Sequence, residues 1–219
     1  MTSLHFKDLR EFGTAAFMAI GPSRIAIPTL CLIEDSALDA VNKDKLTEVA
    51  IGRLDSARTW LSTLFPEGIE ALDLPEPDIL KDSRAVALDA LAPLVRALET
   101  AGEDRQTLLR TAQKYKAHCL ARVEPDVTQF LNHMTKCLTQ EQSDRDKKRK
   151  NAILDTLRSA EVVGRTIRMI SINASIEAAS AGEHGRSFEA IASEMRALGG
   201  QTQEFLREIS QLMLRDGQT

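Results

Sequence analysis

Aromatic side chains are scarce in this 219-residue chain: seven Phe, one Trp and one Tyr make up 4% of it. A core with so few rings has to be built from Leu, Ala and Ile, which is the profile of a helical bundle. Cysteine is scarce too. Cys31, Cys119 and Cys137 form no disulfide framework and fit a reducing compartment. Four histidines and one tyrosine supply no triad. Gly-rich phosphate loops, nucleophile elbows and paired-histidine helix motifs are missing, so no enzyme class is indicated. No sign of charge dominates: 28 Lys and Arg face 32 Asp and Glu, a net charge of -4, which excludes the broad basic surface of a nucleic-acid binder. The one basic run, Lys147-Lys148-Arg149-Lys150, follows Ser143-Asp144-Arg145-Asp146 and reads as a solvated helix face. Long hydrophobic runs are absent as well. The apolar stretch from Phe12 to Ile20 contains Gly and Thr and falls short of the ~20 residues a membrane span needs. Acidic Asp8 and Glu11 stand where a signal peptide would be basic. The expectation is a soluble cytoplasmic chain with no membrane span and no cofactor.

Strand alternation is nowhere sustained and no solenoid period stands out, so the fold class is all-α. A first helix is expected over about Phe6 to Met18, stopping at Gly21-Pro22. A second is expected to begin after Pro28 and reach Leu64, with a break at Asn42-Lys43 as one option. Its apolar side holds Leu46, Ile51, Leu54, Trp60, Leu61 and Leu64. Phe65-Pro66-Glu67-Gly68 reads as its end, and Asp73-Leu74-Pro75-Glu76-Pro77 as a turn-rich connector. Asp82-Ser83 looks like a cap for a helix through Leu98, which Gly102 ends. Another should cover about Asp104 to Arg122, and Pro125 should open the next.

The C-terminal third of the chain is its most patterned part. Phe188, Ile191, Met195, Leu198, Thr202, Phe205, Ile209 and Leu212 alternate in steps of three and four, a heptad a/d stripe. Upstream, Ile153, Thr156, Ala160, Val163, Ile167, Ile170, Ala174, Glu177 and Ala181 do the same. Both stripes converge on Gly182-Glu183-His184-Gly185, so two helical arms can zip antiparallel from a tight tip. Gly182 suits a left-handed cap, and Gly185 gives the chain room to reverse. A helix from Pro125 to Ser180 would be about 80 Å long at 1.5 Å per residue, about twice the second arm. Val127, Phe130, Leu131, Met134 and Leu138 on its longer part therefore need cover, and the N-terminal helices are the candidates. Two arrangements fit the pattern: an N-terminal helical bundle (residues 1–124) from which the hairpin (125–219) projects, with a homodimer partner completing four helices, or N-terminal helices folded back along the hairpin of a monomer.

The wording of the tip resembles the cytoplasmic signalling domain of methyl-accepting chemotaxis receptors. The resemblance is carried by Asn173, Ile176-Glu177-Ala178-Ala179, Ala181-Gly182-Glu183, Gly185-Arg186, Phe188, Ala192, Glu194, Arg196 and Leu198, within about residues 153–214. It implies a hairpin that dimerises into a four-helix bundle. The tip would bind a chemotaxis histidine kinase and a coupling adaptor through Asn173, Glu177, Ser180, Glu183, Arg186 and Phe188. The chain departs from the family pattern at several positions. Ser180 stands where the family usually has an arginine beside its trimer contact, and Arg165 where it has an aromatic contact. Thr166-Ile167-Arg168 replaces a Gln-Thr-Asn run, Ser187 a glycine and Glu189 a small apolar residue. The resemblance also implies glutamyl methylation; Gln140-Glu141 and Gln203-Glu204 are the nearest pairs, but neither is singled out.

Two smaller features stay open. Glu177 falls on the apolar stripe, where a carboxylate is costly unless paired. Either Arg186 answers it across the turn, making it a register or partner contact, or the stripe drifts and it faces water. His133 and Cys137, at i and i+4, share a helix face and make half a zinc site; the plainer alternative is a surface histidine beside a small core cysteine. The competing functions are a helical oligomerisation scaffold without kinase control and a metal- or small-ligand-binding bundle.

Overall fold

The computed structural model describes residues 6–34, 39–101 and 105–215, and every regular element among them is helical. The chain divides into two compact units, residues 1–142 and 143–219.

In the first unit, α1 (Leu9–Ile20) opens on Asp8, whose carboxylate accepts the Glu11 N–H at 2.8 Å. The Glu11 carboxylate in turn accepts the Lys7 N–H at 2.8 Å, a close variant of the capping box. A 3₁₀ turn (Gly21–Ile25) leads into α2 (Ala26–Glu34), and α3 (Ala40–Thr59) starts from Asp39, which accepts the Asn42 N–H at 2.8 Å. Asn42-Lys43 is thus the first turn of a helix and not a break. After a π-helical turn (Trp60–Leu64) come α4 (Phe65–Ala71), the connector, α5 (Asp78–Ala101) and α6 (Arg105–His118). A second π-helical turn (Cys119–Val123) joins α6 to α7 (Glu124–Ser180).

Proline explains most differences from the expected boundaries. Pro22 sits in the first residues of the 3₁₀ turn, where its missing N–H costs nothing, so the chain stays helical through Gly21-Pro22. Each π-helical turn is followed two residues later by a proline, Pro66 or Pro125. The turn bonds the Phe65 N–H back to the Trp60 carbonyl, and the Glu124 N–H back to that of Cys119. That wide turn is one a proline ring and its absent donor can enter without stopping the helix. Phe65-Pro66 accordingly continues a helix instead of ending one. Arg84 Nη1 donates to the Leu61 carbonyl inside the first wide turn at 3.1 Å, while its Nε pairs with Glu76 at 2.9 Å. α5 starts at Asp78, where the Pro77 carbonyl accepts from Leu80 and Lys81 N–H, so Asp82-Ser83 lies one turn inside it. In the connector, Asp73 lies in a turn and its N–H donates to the Glu70 carbonyl, and residues 74–77 have no regular structure. Gly102 and Asp104 lie outside the described residues.

The core of this unit is held by the rings. Phe12 touches Phe6 at a centroid distance of 5.2 Å and Phe65 at 5.3 Å, and Phe65 meets Phe130 of α7 edge-on at 5.2 Å. Trp60 lies beside Phe12 at 6.3 Å. Gly68 is required here, because a Cβ at that position would enter the Phe12 ring. Val127, Phe130, Leu131 and Met134 are all buried in this core and Leu138 packs against it, so the N-terminal helices do cover the start of α7. The early turns of α7 belong to this compact unit, whose boundary falls at Gln142 instead of at the helix start. Leu46 is exposed, unlike the rest of its expected face. The α3 residues that do reach the core are Thr47, Ala50, Leu54 and Ala57. Continuous helix through Gly21-Pro22 also gives a run, Leu9–Ile33, that is long and apolar enough by length and composition to cross a membrane, against the sequence expectation. Half of its most apolar stretch is buried within the protein, with Phe12, Ala16, Ile20, Ile27 and Leu30 in the core.

The second unit is an antiparallel hairpin of the later part of α7 and α8 (Arg186–Arg215), joined by a 3₁₀ turn (Gly182–Gly185). Its arms meet along small residues. Leu157, Gly164, Ser171, Ala178, Gly185, Ala192 and Gly199 are the buried positions, each seven residues after the last, through the turn without a break. Ser171 needs no partner across the seam, since its Oγ donates to the Arg168 carbonyl at 2.8 Å. The a/d stripes do not zip the arms to each other. Their large members lie exposed on one side of the seam, because close approach over glycine, serine and alanine leaves no room between the arms for Phe or Ile.

Candidate functional site: the hairpin tip and its faces

Gly182 takes φ 59°, the left-handed cap expected of it, and the Ala181 N–H closes the last turn of α7 on the Glu177 carbonyl at 3.1 Å. Gly185 is buried for a different reason: a Cβ there would run into the Ala178 carbonyl. The tip thus needs glycine once for its backbone angle and once for contact. Asn173, Glu177, Ser180, Glu183, Arg186 and Phe188 are all exposed around this end. Ser180 Oγ donates to the Ile176 carbonyl at 3.0 Å. Arg186 Nη2 reaches Glu183 Oε1 at 3.3 Å, not Glu177, which faces water. An ion pair this exposed contributes little stability, so these charges are displayed more than they are used in folding.

Each side of the arms' seam carries a groove. The inner one, about 480 Å³, runs between the two stripes and is lined by Ala160, Val163, Ile167, Met195, Leu198 and Thr202, with Gly164 and Gly199 at its floor. Ile170 (54% exposed), Phe188 (67%) and Phe205 (62%) extend this apolar face in both directions. A surface of that length with heptad spacing is one that knobs-into-holes packing would bury. The outer groove, about 300 Å³, is different in character: Arg165, Arg168 and Arg207 stand around it, with Glu161 as its only acid. The stripes were legible in the sequence. The seam of small residues at strict sevens and the arginine-rimmed groove did not stand out there, although the seven-residue repeat of Gly, Ser and Ala is itself a readable signal.

His133 and Cys137 lie one turn apart on α7. His133 Nδ1 is buried without a hydrogen-bond partner and Cys137 is half-buried, its thiol pKa raised by burial. Among the described residues no group of three or more His, Cys, Asp or Glu is placed to hold a metal ion. His118 Nε2 donates to the Ala90 carbonyl at 2.9 Å, and Cys119 Sγ donates to that of Arg24 at 3.6 Å. Burial, above all, pushes the Cys119 thiol up to about 11, so it sits in the core as a neutral side chain.

A long antiparallel helical hairpin with a glycine-capped, charged tip and an exposed heptad face defines an all-α module of coiled-coil type. Residues 111–218 match the model of the methyl-accepting chemotaxis protein (MCP) signalling domain, the family that the tip resembles in sequence. Similar proteins include methyl-accepting chemotaxis protein McpQ of Pseudomonas putida, 40% identical over 62 residues (28% of this chain and 9% of that protein). Methyl-accepting chemotaxis proteins CtpH and McpN of Pseudomonas aeruginosa are 34% identical over 83 residues (38% and 14%) and 47% identical over 51 residues (22% and 10%). The aligned segments therefore cover a small fraction of these longer relatives. No solved structure matches the chain significantly.

Proposed function

We propose that this chain is a non-enzymatic chemotaxis transducer that works in the cytoplasm as a homodimer. Its hairpin tip would contact a chemotaxis histidine kinase and a coupling adaptor. The observation that carries this is the exposed stripe of large apolar residues leading to a tip of displayed charges. The stripe supports dimerisation, because a second hairpin laid on it completes a four-helix bundle and buries side chains worth about 1.5–3 kcal/mol each. The tip supports kinase contact, because Asn173, Glu177, Glu183, Arg186 and Phe188 stand free of the hairpin's own packing at residues shared with the family pattern. Changes in helix packing upstream would then reach the tip along α7.

The test is a pull-down of the purified protein against the chemotaxis kinase and coupling adaptor of its own host, with a Glu183→Lys, Arg186→Glu variant beside it. The parent should retain both proteins and the variant neither. Retention by neither, with both folded, would leave a helical scaffold that keeps the shape of the tip without its partners.

A further inference from the structure

We propose that the outer groove of the hairpin is a docking site for an acidic amphipathic helix of a partner protein. The groove lies on the opposite side of the seam from the apolar stripes, so a second copy packed on those stripes leaves it open. Arg165 and Arg168 stand on α7 and Arg207 on α8, so cations flank it from both arms. Among the described residues none of these three guanidinium groups has a carboxylate at ion-pair distance, in contrast to Arg158 and Arg186, which do. Glu161 is the only acid on the lining, so the groove holds a cationic surplus on a chain whose net charge is -4.

Its chemistry narrows the occupant. Planar guanidinium groups pair carboxylates two bonds at a time. Met169, 65% exposed, and Ile172 add apolar surface to the lining, which a free inorganic anion would not use. A cleft between two antiparallel helices accepts a third helix that directs an apolar edge inward and carboxylates to either side. Arg168 lies about 20 Å down the arm from Gly182 at 1.5 Å per residue, so this surface is separate from the tip and does not rest on the kinase reading.

The probe is a fluorescein-labelled amphipathic peptide of Glu and Leu, with a Gln and Leu peptide of the same length as control, titrated with the full chain and followed by anisotropy. The Glu peptide should bind at least about tenfold tighter than the Gln peptide, from several modest charge-assisted contacts acting together. An Arg165→Gln, Arg168→Gln, Arg207→Gln variant with unchanged helical circular dichroism should lose that preference. Raising salt from about 50 mM to about 500 mM should weaken it in the parent. Equal binding of both peptides, or a preference that survives in the variant, would overturn the proposal. So would competition by inorganic phosphate as strong, charge for charge, as that of the peptide. Self-association of the chain lost in the triple variant would assign the groove to a second copy instead.

Discussion

The two units solve the same problem, hiding apolar surface, in opposite ways. In residues 1–142 large side chains fill a core: Phe12, Phe65 and Phe130 are fully buried in ring-to-ring contact, although Phe17, Met18 and Leu32 stay exposed. In residues 143–219 the large side chains are outside, and what lies between the arms is glycine, serine and alanine, with Leu157 the largest buried residue. The first unit is a finished core. The second is a hairpin finished only within itself at its seam, with its heptad face left for something else to cover. A hydrophobic stripe in a sequence thus says that apolar residues share a face; it does not say that the same chain will bury them.

Substituting the same residue type in both regions breaks this comparison most directly. Phe12→Ala should cost about 3–5 kcal/mol in urea unfolding, as a ring is lost from a closed core. Phe205→Ala, assayed at concentrations too low for self-association, should cost less than about 0.5 kcal/mol, since an exposed ring gives up little when truncated. Comparable losses at the two positions would mean the stripe is already buried within one chain. Next in size is the tip. Gly185→Ala has to displace the Ala178 carbonyl and should destabilise the hairpin by about 1–3 kcal/mol. Gly182→Ala, held at positive φ, should lose about 1–2 kcal/mol. Gly200→Ala supplies the opposite sign: nothing lies within 4 Å of the new Cβ, and it should gain about 0.5–1 kcal/mol in helix propensity. A pH-dependent effect belongs to the core of the first unit. The Cys119 thiol is raised from 9.0 to about 11 in the folded protein. An acid whose folded pKa is raised gives stability that is whole below its unfolded pKa. That stability falls away as pH climbs from about 9 through about 11. Cys119→Ser should flatten this alkaline slope in unfolding free energy measured against pH.

Much of the hairpin was legible because its signals are local. Gly182 and Gly185 announce the tip, and the three-four spacing announces two helical arms. Which face the arms use against each other was harder to see, since attention goes to Phe and Ile, while the seam is chosen by the residues that permit the closest approach. The N-terminal boundaries were less legible for a related reason. Pro66 reads as a helix stop and Pro125 as a helix start unless a wide turn precedes them, and Trp60–Leu64 and Cys119–Val123 are wide turns with no short signature. Pro93 stands inside α5, which stays α-helical around it with no wide turn. At the tip, Glu177 turned out exposed with Arg186 on Glu183, a choice between two carboxylates that spacing alone leaves open. Arg207 of the outer groove is far in sequence from Arg165 and Arg168, and only the antiparallel fold brings it beside them.

The central claim is that the hairpin's exposed face is completed by a second copy of the chain. Sedimentation velocity over a range of concentrations, on the parent and on a Val163→Glu, Leu198→Glu variant, tests it most directly. The parent should move from monomer to dimer as concentration rises. The variant should stay monomeric with the same helical content. A parent that remains monomeric throughout, or a variant that dimerises as readily, would contradict it.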